Sequence, residues 1–589
     1  MSATADTFTL QPAAIRPREI PWRQWLIRKL LYGKDLDRGA KARARIGLAI
    51  LAFALVYAVI SARLVMFAIQ ADEQTVHRVV SSDAVATARP DILDRNGEVL
   101  ATDVRVPSLY AEPRRLIDVD EAVELLTADL PDLDAKDLRE RLSSKRGFVW
   151  LKRDITPEQQ REIYRQGLPG IGFLNENKRD YPNGDEISHL IGHVNIDNQG
   201  IAGIEKWLDG QGLAALHMAG LATDRLQQPV QLAVDLRVQH ALRDELVAAR
   251  AKFSALAAAG LVLNVRTGEV VALVSEPDYD PNNPREALDP SRINRLTTGV
   301  YEMGSTFKAF TVAMALDSGK VTLNSKFDAR APLQMGRFAI HDFEAQRRVL
   351  SVPEIFTYSS NIGAARMALS LGSGAQQGFL KKLGQLDRLR TELPESAEPI
   401  LPKRWSDLTT ATIAFGHGLS VAPLQAAMGV AAIMNGGILI PPTFLKRSET
   451  EAEKLGRRVI KPETSTMMRY LMRLNVEKGT AEKAEMPGYY IGGKTGTADK
   501  VVGGRYSKNK VLTDFMAILP ADQPRYLLLI MLDEPHALPE THGFTTSGWN
   551  AVPVGGAVVS RIAPLLDVAP RMDLPAADQQ ILASLKESR

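Results

Sequence analysis

Ser305 and Lys308 stand three residues apart, Ser359 and Asn361 two apart, and Lys494-Thr495-Gly496-Thr497 forms a third short string. A serine hydroxyl is a weak nucleophile near neutral pH, so a group that takes its proton must lie beside it. Lys308 is the nearest candidate if residues 305–308 are helical, because side chains three apart share a helix face. The amine must be neutral to accept that proton. Burial and a second cation both push a lysine that way, and Lys494 can supply the charge. The three strings together therefore point to nucleophilic catalysis by Ser305, with a set of helper residues around it.

Each string needs an element to hold it. Gly304 permits a tight turn before Ser305, and the run FKAFTVAMAL has apolar residues at helical spacing until Ser318-Gly319 stops it, so Ser305 opens a helix. Ser351, Pro353 and Glu354 make a capping-box start for a short helix through Ile355 and Phe356, with Ser359 and Asn361 at its end. Tyr489-Tyr490-Ile491 leads into Gly492-Gly493-Lys494, a strand whose glycines let another backbone come close. An extended peptide can pair along such an edge. Taken singly, Ser359 and Asn361 also read as turn residues and Lys494-Thr495-Gly496 as a polar hairpin end. A second serine–lysine pair, Ser507 and Lys510, follows Gly503-Gly504 and reads as a loop.

The 589 residues are 45% hydrophobic, enough for several cores, and a net charge of +3 argues against nucleic acid as the main partner. Residues 1–45 hold ten Lys or Arg against four acids, and residues 46–62 are uncharged and strongly apolar. With Arg63 at one end and an apolar run to Ile69, residues 46–70 are long enough for a transmembrane helix, and the basic flank is expected in the cytoplasm. The apolar core and its basic lead are too long for a cleavable signal peptide. The segment around Trp22, Trp25 and Leu26 reads equally as a helix lying on the membrane surface or as a disordered basic tail. There is no cysteine, hence no disulfide and no thiol chemistry. His189 and His193 are four apart, but Gly192 weakens a helix there and no third ligand is spaced nearby, so no metal is expected.

Residues 71–231 contain no second catalytic string and read as a non-catalytic pedestal, with Asp94-Arg95-Asn96-Gly97 as a hairpin turn between Ile92 and Val99. From residue 232 the pattern changes. Strands at 261–265, 270–275, 489–497, 514–519 and 526–533 with helices between them predict an α+β domain, its mostly antiparallel five-stranded sheet packed between helices. Residues 567–589 form a polar C-terminal tail.

The chain resembles the class B penicillin-binding proteins, most closely their division-specific branch. The resemblance rests on the three strings in order, on Asn294-Arg295 ahead of YEMGSTFK, on FGHGLSVAPLQ (Phe415 to Gln425), and on Gly479-Thr480-Ala481 and LPADQPRY (Leu519 to Tyr526). In the first half RPDILDRNGEVLA (Arg89 to Ala101) and the Tyr181 to Glu205 segment are similar to that family's non-catalytic module. Met303, Pro90 and Asn264 depart from the family's common residues outside the three strings.

The resemblance implies a serine-type D-Ala-D-Ala transpeptidase that cross-links peptidoglycan stem peptides during septal wall synthesis, releases D-alanine and is a target of β-lactams. It implies Ser305 as nucleophile, Ser359 as proton relay, Asn361 holding the donor peptide, Lys494, Thr495 and Thr497 fixing its carboxylate, and the Ser305 and Thr497 amides as oxyanion hole. Gly496 completes the substrate-binding strand. The acylation base is disputed in the superfamily, and Lys308 is the expected one. No cofactor is implied. The implied partners are a septal glycosyltransferase of the FtsW type and other divisome proteins. The implied location is the inner membrane, single-pass, with the catalytic domain periplasmic. An elongation-specific relative shares the chemistry. A penicillin-binding sensor is the other alternative, but would add further spans and an HExxH motif that this sequence lacks.

Overall fold

Strand residues with bulky side chains on both faces have to be covered on both, and the computed structural model shows how this chain does so. It describes residues 46–47, 49–63, 89–213, 228–574 and 576–579, in two units, 1–84 and 85–589. In the first unit, residues 46–47 and 49–63 are helical, with Ile50, Leu51, Phe53, Val56 and Tyr57 all exposed. The transmembrane helix expected at 46–70 is not found at that length: residues 64–70 lie outside the described residues, and no described helix is long and apolar enough to cross a membrane. The surface helix considered near Trp22 also lies outside them.

The half that carries the three strings is built on strands β1 (Ala257–Asn264), β2 (Val270–Glu276), β3 (Gly492–Val502), β4 (Arg505–Leu519) and β5 (Tyr526–Asp533). Their order is β3-β4-β5-β1-β2, and every neighbouring pair is antiparallel. The ladder is not regular throughout, since it slips between Asp499 and Lys500 and between Val262 and Leu263. The Ser507/Lys510 pair, expected in a loop, falls inside β4. Residues 508–510 bulge out between the Lys500–Ser507 and Asp499–Val511 pairs, and the Lys510 ammonium meets Glu534 at 3.0 Å.

Helices α1 (Leu236–Lys252), α2 (Lys308–Asp317), α3 (Val352–Thr357), α4 (Asn361–Leu371), α5 (Pro423–Met434), α6 (Pro462–Lys478) and α7 (Ala551–Leu565) complete the layers. Alternation along the strands sorts the core into two. Val262, Val271, Phe515, Ala517, Leu528 and Ile530 pack with α1 and α7, whereas Leu261, Leu263, Met516, Leu527 and Leu529 pack with α2, α5 and α6. All eight residues of β5 are buried. Every residue of α5 is buried as well, which explains its lack of a polar face.

The pedestal has a mixed sheet of its own. Val99–Ala111 pairs antiparallel with Ile171–Asp180, Val149–Lys152 and Ile92–Leu93, and Ile92–Leu93 pairs in parallel with Val230–Gln231. A buried ion network locks it: Glu205 accepts from Arg89 Nε at 2.8 Å and from Arg179 Nε at 2.6 Å, while Arg179 also meets Asp103 at 3.0 Å. Breaking such a network leaves charge without a partner. Glu205→Ala is expected to cost about 3–5 kcal/mol in denaturant unfolding.

The pedestal is braced on the catalytic half. Gln239 Nε2 donates to Glu186 O at 2.8 Å, Asn282 exchanges two hydrogen bonds of 3.0 Å with the Tyr181 backbone, and Gly203 N donates to the Glu395 carboxylate at 3.2 Å. His189 and His193 belong to this seam. Their rings stand edge-on to Tyr279 at 5.4 and 5.7 Å, and burial pushes the His189 imidazole down to about 4.

Candidate active site

Ser305 lies in a tight 3-10 turn, Gly304–Phe307, that runs directly into α2. Gly304 has φ +50, and a Cβ there would lie 2.7 Å from Thr497 O. Glycine at this position thus lets the serine turn rest against β3. The FGHG segment packs just as tightly: Gly416 has φ +87, and its Cβ would meet Gly304 O at 2.0 Å. Thr311 Oγ1 donates to Ala414 O at 2.8 Å, tying α2 to the same segment.

The second string is a corner between two helices rather than a helix end. Glu354 Oε2 accepts from Ser351 N at 2.8 Å at the start of α3, Ser359 takes φ +56, and Asn361 is the first residue of α4. Ser360 caps α4, its Oγ accepting from Gly363 N at 3.0 Å. Asp342 fixes the corner from outside, accepting from Ser360 Oγ at 2.7 Å and Ile362 N at 2.9 Å. Nothing in the local sequence marks Asp342 for this.

The third string lies on β3, an edge strand. Strand structure begins at Gly492, because Tyr489 N and Ile491 N are used in turns to Met486 O and Tyr489 O. Asn475 Nδ2, near the end of α6, donates to Gly493 O at 2.9 Å and so holds the strand. Thr480 Oγ1 and Thr495 Oγ1 are 2.7 Å apart, and Ser547 N donates to Thr497 Oγ1 at 3.1 Å.

The strings converge on the Lys308 amine, which is fully buried. Its Nζ is 3.0 Å from Ser305 Oγ, 3.0 Å from Ser359 Oγ, 2.5 Å from Ser359 O and 2.7 Å from Asn361 Oδ1. Asn361 Nδ2 donates to His341 O at 3.0 Å, which turns its oxygen toward the lysine. Lys494 Nζ donates to Ser359 Oγ at 3.0 Å, so this hydroxyl sits between the two lysines.

A proton count gives the chemistry. A carbonyl and an amide oxygen can only accept, so Ser359 O and Asn361 Oδ1 take two amine protons. A neutral amine has none left, and its lone pair then faces a serine hydroxyl. Burial, aided by the Lys494 charge and opposed by Asp342, pushes the Lys308 amine well below the usual lysine range. Burial also pushes Lys494 down to about 7, with Asp514 acting in the opposite direction. A hydroxyl next to an amine lowered in this way, on a turn packed against an edge strand, suits acyl transfer.

All the expected site residues are placed: Ser305, Lys308, Ser359, Asn361 and Lys494 form one chain of contacts, and Thr495, Gly496 and Thr497 run along the strand beside it. Residues 258–548 match the penicillin binding protein transpeptidase domain and residues 84–210 the penicillin-binding protein dimerisation domain. A Caulobacter vibrioides protein named "Probable peptidoglycan D,D-transpeptidase FtsI" is 41% identical over 503 residues, 84% of each chain. The chain belongs to the class B penicillin-binding proteins. The Escherichia coli K12 "Peptidoglycan D,D-transpeptidase FtsI" is 32% identical over 82% of this chain and 85% of its own. Penicillin binding protein 3 from Mycobacterium, solved with aztreonam, shares the fold at a TM-score of 0.63 and 22% identity, over 84% of this chain and 98% of that one.

In this class B protein, the site also has a rim that residue spacing alone did not reveal. Glu302 accepts from Gly418 N at 2.8 Å and from Tyr506 Oη at 3.1 Å. It joins the serine turn, the FGHG segment and the β3–β4 hairpin. His417 stands between Phe415 and Tyr506, ring centroids 5.4 and 5.6 Å away, and burial lowers its imidazole below the usual range.

Proposed function

We propose that the protein is a septal peptidoglycan D,D-transpeptidase working through an acyl-enzyme on Ser305. The observation that carries this reading is the buried Lys308 amine, 3.0 Å from the Ser305 hydroxyl and held by two oxygens that can only accept, Ser359 O and Asn361 Oδ1. Ser305 Oγ attacks the carbonyl of the penultimate D-alanine of a stem peptide, and Lys308 takes the hydroxyl proton. The C–N bond to the terminal D-alanine breaks, its nitrogen receives that proton through Ser359, and the rest stays on Ser305 as an ester. An amine from a second stem attacks the ester, loses a proton to the same relay and regenerates the serine.

The Ser305 and Thr497 amides act as oxyanion donors. Lys494, Thr495 and Thr497 bind the terminal carboxylate, and Asn361 positions the donor peptide. β-Lactams acylate the same serine. The exposed apolar side chains of the helical residues 46–62, behind a basic flank, support a single-pass inner-membrane anchor with a periplasmic catalytic half. The names of its relatives favour the division branch, and an FtsW-type glycosyltransferase and other divisome proteins are the partners this implies.

The test is to treat membranes carrying the full chain with a fluorescent penicillin and to map the labelled peptide by mass spectrometry. The label is expected on the peptide containing Ser305. A label elsewhere, or none, removes this reading.

A further inference from the structure

Asp514 is the buried group around the crevice that the steps above leave unused. It lies on β4 directly opposite Gly496, so the two share a face of the sheet with Lys494. Its carboxylate occupies the space that a side chain at 496 would need, a Cβ there falling 2.1 Å from Oδ2. Glycine at position 496 thus makes room for a carboxylate, in addition to letting a peptide approach.

The residue is fully buried, and neither carboxylate oxygen accepts a hydrogen bond. The hydroxyl of Thr306, next to Ser305, acts on it but donates to Met303 O at 2.5 Å. The Asp514 backbone is held firmly, its carbonyl accepting from Ser547 Oγ at 2.6 Å. Glu205, just as buried, has two arginines. A buried carboxylate without donors destabilises a fold, so packing does not account for Asp514. On the same side of the sheet, two residues along β3, is Lys494, on which Asp514 acts and whose hydrogen bonds go to Ser359 and Thr495.

The geometry points to Asp514 as a positioning residue: an unpaired carboxylate behind the Lys494–Gly496 stretch that keeps the proton on Lys494 and thereby leaves Lys308 as the free amine. This rests on the catalytic roles proposed above. Two adjacent buried lysines have no intrinsic reason to differ in charge. A negative group on the β4 side of Lys494 breaks that symmetry, since it acts on Lys494 directly, while the Lys494 charge then discourages protonation of Lys308.

Burial raises the Asp514 acid and lowers the Lys494 amine, while each favours the charged form of the other, so the pair holds its protons jointly. The other titratable groups around them are Lys308 on α2, Asp342 at the corner, and His417 backed by Glu302 and Asp499. From β5 the residue opposite Asp514 is the apolar Met531.

The test is the pH profile of penicillin acylation for the full-length protein in detergent, comparing wild type with Asp514→Asn and Asp514→Thr. Without the carboxylate, Lys494 loses its proton at lower pH and the alkaline limb moves down. Lys308, now beside a weaker charge, gains a proton more readily and the acid limb moves up. Both variants are expected to show a narrower bell, with acylation near pH 8.5 reduced by about tenfold or more relative to wild type, and a melting temperature not below that of wild type. A bell of wild-type width, even at lower height, overturns the inference, as does a uniform loss that follows a lower melting temperature. If Asp514→Asn does not fold, Asp514→Thr decides by the same criterion. Wild type that fails to acylate at Ser305 defeats the catalytic reading itself, which is a separate outcome.

Discussion

Ser305→Ala is expected to abolish covalent labelling by fluorescent penicillin, because it removes the one hydroxyl that stands at the start of α2, against β3 and beside the Lys308 amine. The neighbouring Thr306 cannot take its place, since its side chain is buried and donates to Met303 O. Folding should be little affected. The only side-chain hydrogen bond lost is the 3.0 Å contact with Lys308, whose other three partners remain, so the stability change should stay within about 1 kcal/mol. In cells depleted of the native protein, the variant is expected to give filaments, whereas round cells would point to wall elongation. Persistent labelling of Ser305→Ala would remove this serine as nucleophile.

The three strings were legible because each pairs a chemical group with a local signal for its element. Gly304 before a helical run, the capping box at Ser351 and Glu354, and the paired glycines at 492 and 493 act within a few residues, so local backbone preference placed the serine turn, the start of α3 and the strand at Gly492, though not the corner that holds Ser359 and Asn361. The sheet was readable for a similar reason. Its central strand β5 is apolar throughout, and the hairpin turn at Thr267-Gly268 leaves antiparallel pairing as the simple connection.

What was not legible depends on contacts across long stretches of chain. Asp342 fixes the Ser360–Ile362 corner from 18 and 20 residues away, and Glu302 reaches Tyr506 across 204. Asp514 reads as one more residue of a strand, and only its pairing opposite Gly496 sets it apart. The Ser507/Lys510 pair shows the converse error. Two glycines suggested a loop, but Gly503 and Gly504 form only the tip of a hairpin, and the flanking residues return to the ladder around a bulge. The Tyr489–Ile491 stretch has strand composition, yet its amides are spent on turns, which delays β3 to Gly492. At Ser507–Lys510 the pairing partner overrode local propensity, whereas at Tyr489–Ile491 local turn hydrogen bonds did.

Lys308→Ala is expected to slow acylation by on the order of 10² to 10⁴, the range associated with loss of a positioned general base. The argument rests on what else could accept the Ser305 proton. The Lys494 amine contacts Ser359 and Thr495 rather than Ser305, and no carboxylate bonds to the serine, so no other group inherits the position. The pH dependence follows from the sign of the shift. A base acts only when deprotonated, and the lowered pKa of Lys308 extends that form to lower pH, so wild-type acylation should rise with pH through the folded-state value of Lys308. In Lys308→Ala this acid limb should disappear while the residual rate stays low. Lys308→Arg separates charge from basicity: a guanidinium keeps the cation near Ser359 but cannot lose its proton. It should be as impaired as the alanine variant. An arginine variant with near wild-type rate would show that this position supplies charge rather than proton transfer, and the base would have to be sought at Ser359.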